Sequence, residues 1–152
     1  MGFLRSSSDA ADPKLVGMCM CRTDREREQL AKRLSKEGPM IRSILKPDEL
    51  ILGITRTEET MTELVVVTDR RVFVVRNLKV KNISAHSEIR KKTISVLPNG
   101  RWNVALYPES YYRQLSVTDD WKRNLDVIRL SFENEAWADI AISYFTPSLP
   151  ES

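Results

Sequence analysis

Two cysteines and one histidine are the residues best suited to metal or nucleophilic chemistry. Cys19 and Cys21 are two residues apart, and His86 is the single histidine of the 152 residues. A structural zinc site needs about four ligands at suitable spacing, and no second cysteine pair accompanies the first. We therefore expect two small buried or half-buried thiols, a histidine at the surface, and neither a metal nor a cofactor.

Paired carboxylates and phosphate-binding loops are the next signatures of catalysis to consider. Asp119-Asp120 and Glu58-Glu59 are adjacent pairs in polar stretches, and adjacent residues rarely converge on one substrate. The chain has five glycines and neither a P-loop nor a G-x-G-x-x-G pattern. These observations predict a protein that is not an enzyme and that has no small-molecule substrate.

A cluster of basic residues is the strongest indication of function. Residues 76–92 contain six basic residues and one acidic residue, Glu88. If the flanking strands were adjacent, the cluster would form a surface for anionic lipid head groups or for an acidic protein. The alternative is an ordinary solvated face, which is what most charge runs are. The cations are Arg76, Lys79, Lys81, Arg90, Lys91 and Lys92.

Aromatic residues accompany basic ones in the polar stretch that follows. Tyr111, Tyr112 and Trp121 lie in this stretch with several cations. Tyrosine, tryptophan and arginine are favoured as anchors of protein interfaces, so we interpret this stretch as a protein-contact loop. Nucleic acid is a weaker candidate, because a net charge of +3 falls short of the basic bias of dedicated binders.

Composition bounds the class of protein. A chain of 152 residues suits one domain with a real core, and 41% hydrophobic with 30% charged residues is ordinary for a globular protein. No apolar run approaches the roughly 20 residues that span a bilayer, and the N-terminus lacks an apolar stretch suited to secretion. We expect a soluble cytoplasmic protein, with peripheral membrane association as the alternative.

A β-hairpin at residues 62–76 organises the predicted fold. Residues 64–67 and 72–75 are short runs of β-branched and aromatic residues, and Asp69-Arg70 is a plausible tight turn. Because both runs are apolar on both faces, both faces must be buried. One face can fill a sheet core. The other must be covered by residues 15–20 or 40–45, or by another chain.

The remaining elements form a meander between helices. A helix is predicted from Thr23 or Asp24 to about Lys36, ended by Gly38-Pro39, with one amphipathic turn at residues 40–45. Asn134 should cap a final helix with Trp137, Ile140, Ala141 and Tyr144 on one face. Residues 108–124 hold either an irregular strand near 114–118 or an inserted loop. Further strands are predicted at residues 50–55, 79–84, 93–97, 102–107 and 125–132.

Two segments resemble the bacterial pleckstrin-homology-like (PH-like) and GRAM-like domains. LKPDELIL at residues 45–52 looks like the family's entry into its first strand, and LVVVTDRRVFVV at 64–75 looks like its second hairpin. Residues 88–97 resemble the strand pair that follows, so the resemblance covers about residues 45–145. It implies a mostly β (α+β) fold: a bent antiparallel barrel of six or seven strands with a C-terminal capping helix. Members of this family are usually binding modules.

The resemblance and the residues together predict an organisation and a function. The chain would divide into a flexible tail (1–13), an N-terminal helical extension (14–46), a PH-like domain (47–146) and a C-terminal tail (147–152). The expected function is non-catalytic binding of a protein partner or a second copy, as part of a larger bacterial or phage assembly. The alternative is binding to anionic membranes through residues 76–92. The loop that binds phosphoinositides in lipid-binding PH domains carries Glu58, Glu59 and Glu63 here.

Overall fold

The predicted hairpin is present, and its two faces belong to two different cores. The computed structural model describes residues 12–57, 63–113 and 126–145. Strands β2 (Leu64–Thr68) and β3 (Arg71–Arg76) pair antiparallel around the turn at Asp69 and Arg70, which confirms the prediction. Their side chains alternate between the two faces. One core takes Val65, Val67, Val72 and Val74, and the other takes Leu64, Val66, Phe73 and Val75.

Seven strands form one antiparallel sheet that curls into a half-barrel. Besides β2 and β3, the strands are β1 (Ile51–Arg56), β4 (Lys79–Ala85), β5 (Ile89–Val96), β6 (Trp102–Pro108) and β7 (Ile128–Phe132). The sheet order is β4-β3-β2-β1-β7-β6-β5, so β4 and β5 are its two edges although they follow each other in the chain. A short 3₁₀ turn, His86–Glu88, connects them. Strand β5 begins four residues earlier than the sequence predicts.

The N-terminal extension covers the outer face of the hairpin, as one of the two alternatives predicted. Helix α1 (Pro13–Val16) and helix α2 (Asp24–Ile44) pack on β1–β3. We call this the α2-side core. Its buried α2 residues share one stripe because they are spaced four and seven apart. The extension contributes Leu15, Cys19, Cys21, Leu30, Leu34 and Ile41, with Met40, Ile44 and Leu45 at the margin.

Helix α2 continues through Gly38-Pro39, where the sequence predicted its end. Pro39 lies inside the helix and removes one backbone donor. The apolar stripe nevertheless continues beyond it to Ile41, which is fully buried. Gly38 does not cap the helix. It allows close packing, since a Cβ there would lie 3.3 Å from Leu15 Cδ1.

The chain between α1 and α2 lies beside β1 where β1 separates from β7. Among the described residues β1 and β7 pair at Arg56 and Ser131 alone, and the Met20 amide and Met18 carbonyl bond to Ile54 of β1 in a short parallel bridge. The Met20 side chain thereby reaches the opposite core. Gly53 makes this close approach feasible, because a Cβ at that position would overlap Met20 Sδ.

The opposite core, here the α4-side core, is built by β2, β3, β5–β7 and the last helix. Helix α4 (Glu135–Ser143) is capped by the Asn134 side chain, which accepts from the Trp137 amide, as predicted. Its buried residues are Ala138, Ala141 and the following Phe145. The predicted face was therefore wrong in part: Ile140 is 41% exposed, because it lies about 160° from the buried Ala138 around the helix.

The long polar stretch begins with a helix rather than a loop. Helix α3 (Glu109–Arg113) follows β6 without a break. The alternatives for residues 114–118 lie outside the described residues, as do Trp121, the tail at 147–152 and residues 1–11 of the tail predicted at 1–13. The last two residues of that tail are instead the N-cap and the first residue of α1. Within the described part of the chain, every helix is too short or too polar to cross a bilayer.

Candidate functional site

Residues 44–49 and residues 68–71 form one buried network with each other. Arg71 of β3 donates from Nε and Nη2 to both oxygens of Glu49, at 2.8 and 2.7 Å, and from Nη2 to the Ile44 carbonyl. The hydroxyl of Thr68 donates to Glu49 at 2.6 Å. These bonds, first that from Arg71, hold the pKa of the Glu49 carboxyl at about 2. Because the Glu49 side chain is fully buried, the network anchors structure and is closed to ligands.

The turn residues of the hairpin are also occupied by structural bonds. The Thr68 hydroxyl accepts from the Arg70 and Arg71 amides, and Asp69 exchanges bonds with the Leu50 backbone. Arg70 pairs with Asp48 at the surface. The TDRR pattern thus closes the hairpin and joins it to the start of β1.

The structure divides the predicted basic cluster between the two edges of the sheet. Arg76, Lys79 and Lys81 lie on β3 and β4, whereas Arg90, Lys91 and Lys92 lie on β5. Strands β4 and β5 are not paired with each other. A single basic surface would require β4 and β5 to be adjacent strands, and in the described residues they are not.

Several of these charges are already balanced. Lys81 and Arg76 lie 2.6 and 3.8 Å from the same carboxylate oxygen of Glu63, which is 3% exposed. Burial alone would raise the pKa of Glu63, but bonds from Lys81 and Thr57 hold it below its ordinary value. Lys92 donates to the Ile142 carbonyl of α4, and burial lowers the pKa of its ammonium group.

The other predicted residues do converge, on the face formed by β5, β6 and α3. Tyr107, Tyr111 and Tyr112 stack edge to face, with ring centroids 5.2 and 5.1 Å apart. The Lys91 ammonium lies 5.5 Å from the centre of the Tyr107 ring, within cation–π range. Burial, with smaller contributions from the neighbouring tyrosines, raises the pKa of the Tyr112 phenol. We call this group, with Arg90, Glu109 and Arg113, the tyrosine–arginine site.

A pocket of about 450 Å³ opens at this site, lined by Arg90, Glu109, Tyr112 and Arg113. Its surface is mostly apolar and carries two guanidinium groups. Arg90 lies 3.3 Å from Glu109, and both side chains are more than 40% exposed. Such an arrangement can hold an apolar side chain while arginine binds a neighbouring carboxylate through paired N–H groups.

Strand register and helix position create the site. Lys91 is directly opposite Tyr107 in the β5–β6 ladder, and a register irregularity between Ile89 and Lys91 sets the course of β5 beside Arg90. Because α3 starts directly after β6, its first turns carry Tyr111 and Tyr112 back over Tyr107. The sequence indicated Arg90 and Lys91 in one group and Tyr111 and Tyr112 in another. It missed Glu109, and it missed Tyr107, for which the strand alternation of residues 102–107 was the available signal.

The residues first considered for chemistry lie in the core. Cys19 and Cys21 are 5% and 3% exposed, and burial, then the neighbouring Cys21, raises the pKa of the Cys19 thiol to about 12. His86, expected at the surface, is buried against Phe145 with ring centroids 4.8 Å apart, and burial lowers its pKa. No group of three or more His, Cys, Asp or Glu suited to a metal is present among the described residues.

A polar cavity at the start of α2 was not foreseen. It measures about 310 Å³ and lies among Glu26, Arg56, Arg101 and Glu133. Glu26 pairs with Arg56 at 2.8 Å and with Arg101 at 2.7 Å, while Glu133 accepts from the Arg22 and Thr23 amides. The charged groups bind each other, so the ion pairs and hydrogen bonds around the cavity fasten the extension to the sheet.

Comparison with known proteins adds no further constraint. No family model, no curated protein and no solved structure matches this chain. The geometry of the tyrosine–arginine site is therefore the basis for a functional assignment.

Proposed function

We propose that this chain is a non-catalytic module that binds another protein through the tyrosine–arginine site. The convergence of three stacked tyrosines with Arg90, Lys91 and Arg113 on one exposed face carries this proposal. Tyrosine and arginine are the residues most enriched among energetic anchors of protein interfaces. Tyrosine also presents a large rigid surface at a small entropic cost.

The charge balance defines the partner. Three cations, Arg90, Lys91 and Arg113, face one carboxylate, that of Glu109. The partner surface therefore carries an apolar side chain that enters the pocket and acidic residues that meet the arginines. Electrostatic complementarity of this kind gives specificity and speeds association.

We further propose that the half-barrel is a variant of the PH-like fold. Three features support this: the sheet order, the position of α4 directly after the last strand, and the contact between the two resembling segments at Glu49 and Arg71. Residues 12–44 are an addition to that fold. The proposal accords with a non-catalytic role, because members of the family are usually binding modules, although a fold by itself does not set a function.

Binding to an anionic membrane has less support. It requires the cations of residues 76–92 on one surface, and they lie on two edges, partly paired with Glu63 and Glu109. The experiment described next can also detect membrane binding.

In-cell photo-crosslinking of the full-length chain tests the proposal. A photoreactive phenylalanine derivative replaces Tyr112 at the site or, as the control, Ile140 of α4, which is similarly exposed. We expect a discrete protein adduct from position 112 that Arg113→Ala removes, and none from position 140. A lack of any adduct at 112 contradicts the proposal. Salt-sensitive sedimentation with phosphatidylserine vesicles, lost in Arg90→Glu with Lys91→Glu, would instead favour the membrane.

A further inference from the structure

His86 lies at the point where the end of α4 meets the connection between the two edge strands. It begins the 3₁₀ turn that joins β4 to β5, and its amide donates to the Arg70 carbonyl of the β2–β3 turn at 2.9 Å. Its ring packs against that of Phe145, which follows α4 and is fully buried. The imidazole therefore joins α4 to the turn between the edge strands.

The imidazole is buried without a full set of partners. His86 is 6% exposed, and its Nε2 atom has no hydrogen-bond partner among the residues that the structure describes. Nearly all buried polar side-chain atoms in proteins are bonded. Protonation turns both ring nitrogens into N–H donors, and a buried charge without a partner is far more costly than a buried neutral group. The closed contact therefore suits the neutral ring.

The elements around His86 form no ion pair with it in the described residues. These elements are the β2–β3 turn, the 3₁₀ turn itself and the end of α4, and their charged or titratable groups each bind another residue. The groups are Asp69 (bound to the Leu50 amide), Arg70 (to Asp48), Arg71 (to Glu49), Glu88 (to the Ala85 amide) and Tyr144 (to the Leu52 carbonyl).

We propose that His86 is a proton-operated latch on the end of α4. While the ring is neutral, Phe145 stays against the 3₁₀ turn and the α4-side core is closed. Proton uptake places a charge and an additional N–H donor in this contact, so the end of α4 separates from the turn and Phe145 becomes exposed. The latch does not depend on the tyrosine–arginine site, because none of its residues belongs to that site.

The latch should open as the pH falls below 6.5. Burial lowers the pKa of His86 from 6.5, although backbone groups of Thr68, Arg71 and Tyr144 and the Asp69 carboxylate act in the opposite direction. The open state therefore binds the proton more tightly, and the closed state loses stability as the pH falls from 6.5 to the closed-state pKa. Uptake of one proton raises the open fraction by up to about ten-fold per pH unit in this window.

The single histidine makes the latch directly measurable in the full-length chain. NMR follows its imidazole resonances in a pH titration, and we expect a midpoint below 6.5. Phe145→Ala should move the midpoint towards 6.5, because it opens the ring to water. Amide hydrogen exchange, corrected for the intrinsic effect of pH, should quicken at Tyr144 and Phe145 between pH 7.5 and 5.5. Glu49 does not interfere, because its effect begins below pH 4.5.

Two variants separate titration from packing. Glutamine is polar but does not titrate, so in His86→Gln the corrected exchange at Tyr144 and Phe145 should be the same at both pH values. Ser87→Ala changes the exposed neighbour in the same turn and should retain the wild-type response.

Three results would overturn the inference. One is an imidazole midpoint at or above 6.5 in the wild type. Another is an equal pH response in His86→Gln, or in His86→Leu if the first variant fails to fold. The third is equal acceleration of exchange in β2, which would show that the whole protein unfolds. Failure of the crosslink at Tyr112 would leave all three measurements unaffected.

Discussion

Arg71 and Arg90 each pair with a glutamate, but the two pairs occupy different environments. Arg71 binds Glu49 through two bonds of 2.7 and 2.8 Å, and the Glu49 side chain is fully buried. Arg90 lies 3.3 Å from Glu109, and both side chains are more than 40% exposed. In the first pair both carboxylate oxygens are bound inside the protein, whereas the second pair can exchange its partner for a ligand.

The comparison extends from the two pairs to the two regions around them. Around β1–β3, charged groups join the extension to the sheet, through Glu26, Glu37 and Glu49. Around β5, β6 and α3, the charges remain at the surface beside an apolar pocket. Breaking a buried pair is costly because the remaining charge is unpaired, while exposed pairs contribute little. Burial therefore separates residues that maintain the fold from residues available for recognition.

Removal of the extension should have the largest effect. A chain that lacks residues 1–44 exposes the apolar outer face of β1–β3, including Val66, Phe73 and Val75. We expect aggregation or loss of the cooperative unfolding transition, measured by size-exclusion chromatography and thermal unfolding. A truncated protein that remains monomeric and equally stable would show that the extension is dispensable.

A milder substitution checks the same contact in a chain that still folds. Leu34 is 1% exposed in the α2-side core. Leu34→Ala should lower the free energy of unfolding by about 3 kcal/mol, as measured in urea.

Glu49→Gln should have the next largest effect, and it should be visible in the pH dependence. The pKa of Glu49 falls from 4.5 to about 2 in the folded protein, which corresponds to about 3 kcal/mol of stability. Because the folded-state pKa is depressed, this stability is present above pH 4.5 and is lost as the pH falls towards 2. Glu49→Gln should be less stable at pH 7 and should lack this part of the acid transition.

The neighbouring exposed pair provides the control for Glu49. Asp48 pairs with Arg70, one residue away from Glu49 and Arg71 in each segment. Asp48→Asn should leave the urea midpoint unchanged, because the pair is exposed to solvent. Equal losses of stability in Asp48→Asn and Glu49→Gln would contradict the expectation that the buried pair contributes more than the exposed one.

Gly53→Ala should be destabilising by about 2 kcal/mol through a steric conflict. The added methyl would displace the Met20 side chain, which passes from the extension into the α4-side core. A double-mutant cycle with Met20→Ala measures the coupling in chemical unfolding. The Gly53→Ala loss should shrink in the Met20→Ala background, and equal losses in both backgrounds would contradict the steric explanation.

The smallest effect on stability is expected at the tyrosine–arginine site. Combined Arg90→Ala and Tyr112→Ala should change the free energy of unfolding by less than about 0.5 kcal/mol, since both side chains are exposed. The measurement is denaturant unfolding of the purified variant. A loss as large as that of Glu49→Gln would assign the site a structural role.

Local patterns in the sequence were sufficient to predict the hairpin and its need for a cover. Residues 64–67 and 72–75 are apolar on both faces, and that observation alone required the second core. The continuation of α2 through Pro39 could not be read locally, since the burial of Ile41 beyond the proline is a tertiary contact in the α2-side core. The tyrosine–arginine site was predicted as parts of two separate groups, because the sequence did not reveal that the sheet order places β5 away from β4 or that α3 follows β6 directly.

The bonds between Glu133 and the start of α2 have a consequence for the order of folding. The Glu133 carboxylate accepts hydrogen bonds from the Arg22 and Thr23 amides and from the Thr23 hydroxyl, which lie about 110 residues earlier in the chain. During synthesis these bonds cannot form until the last strand has left the ribosome, whereas the β2–β3 hairpin can form much earlier. Contacts of such high sequence separation are slow to close. The start of α2 should therefore gain its attachment to Glu133 late in synthesis, after the α2-side core, whose residues all lie within 15–75, has been able to form.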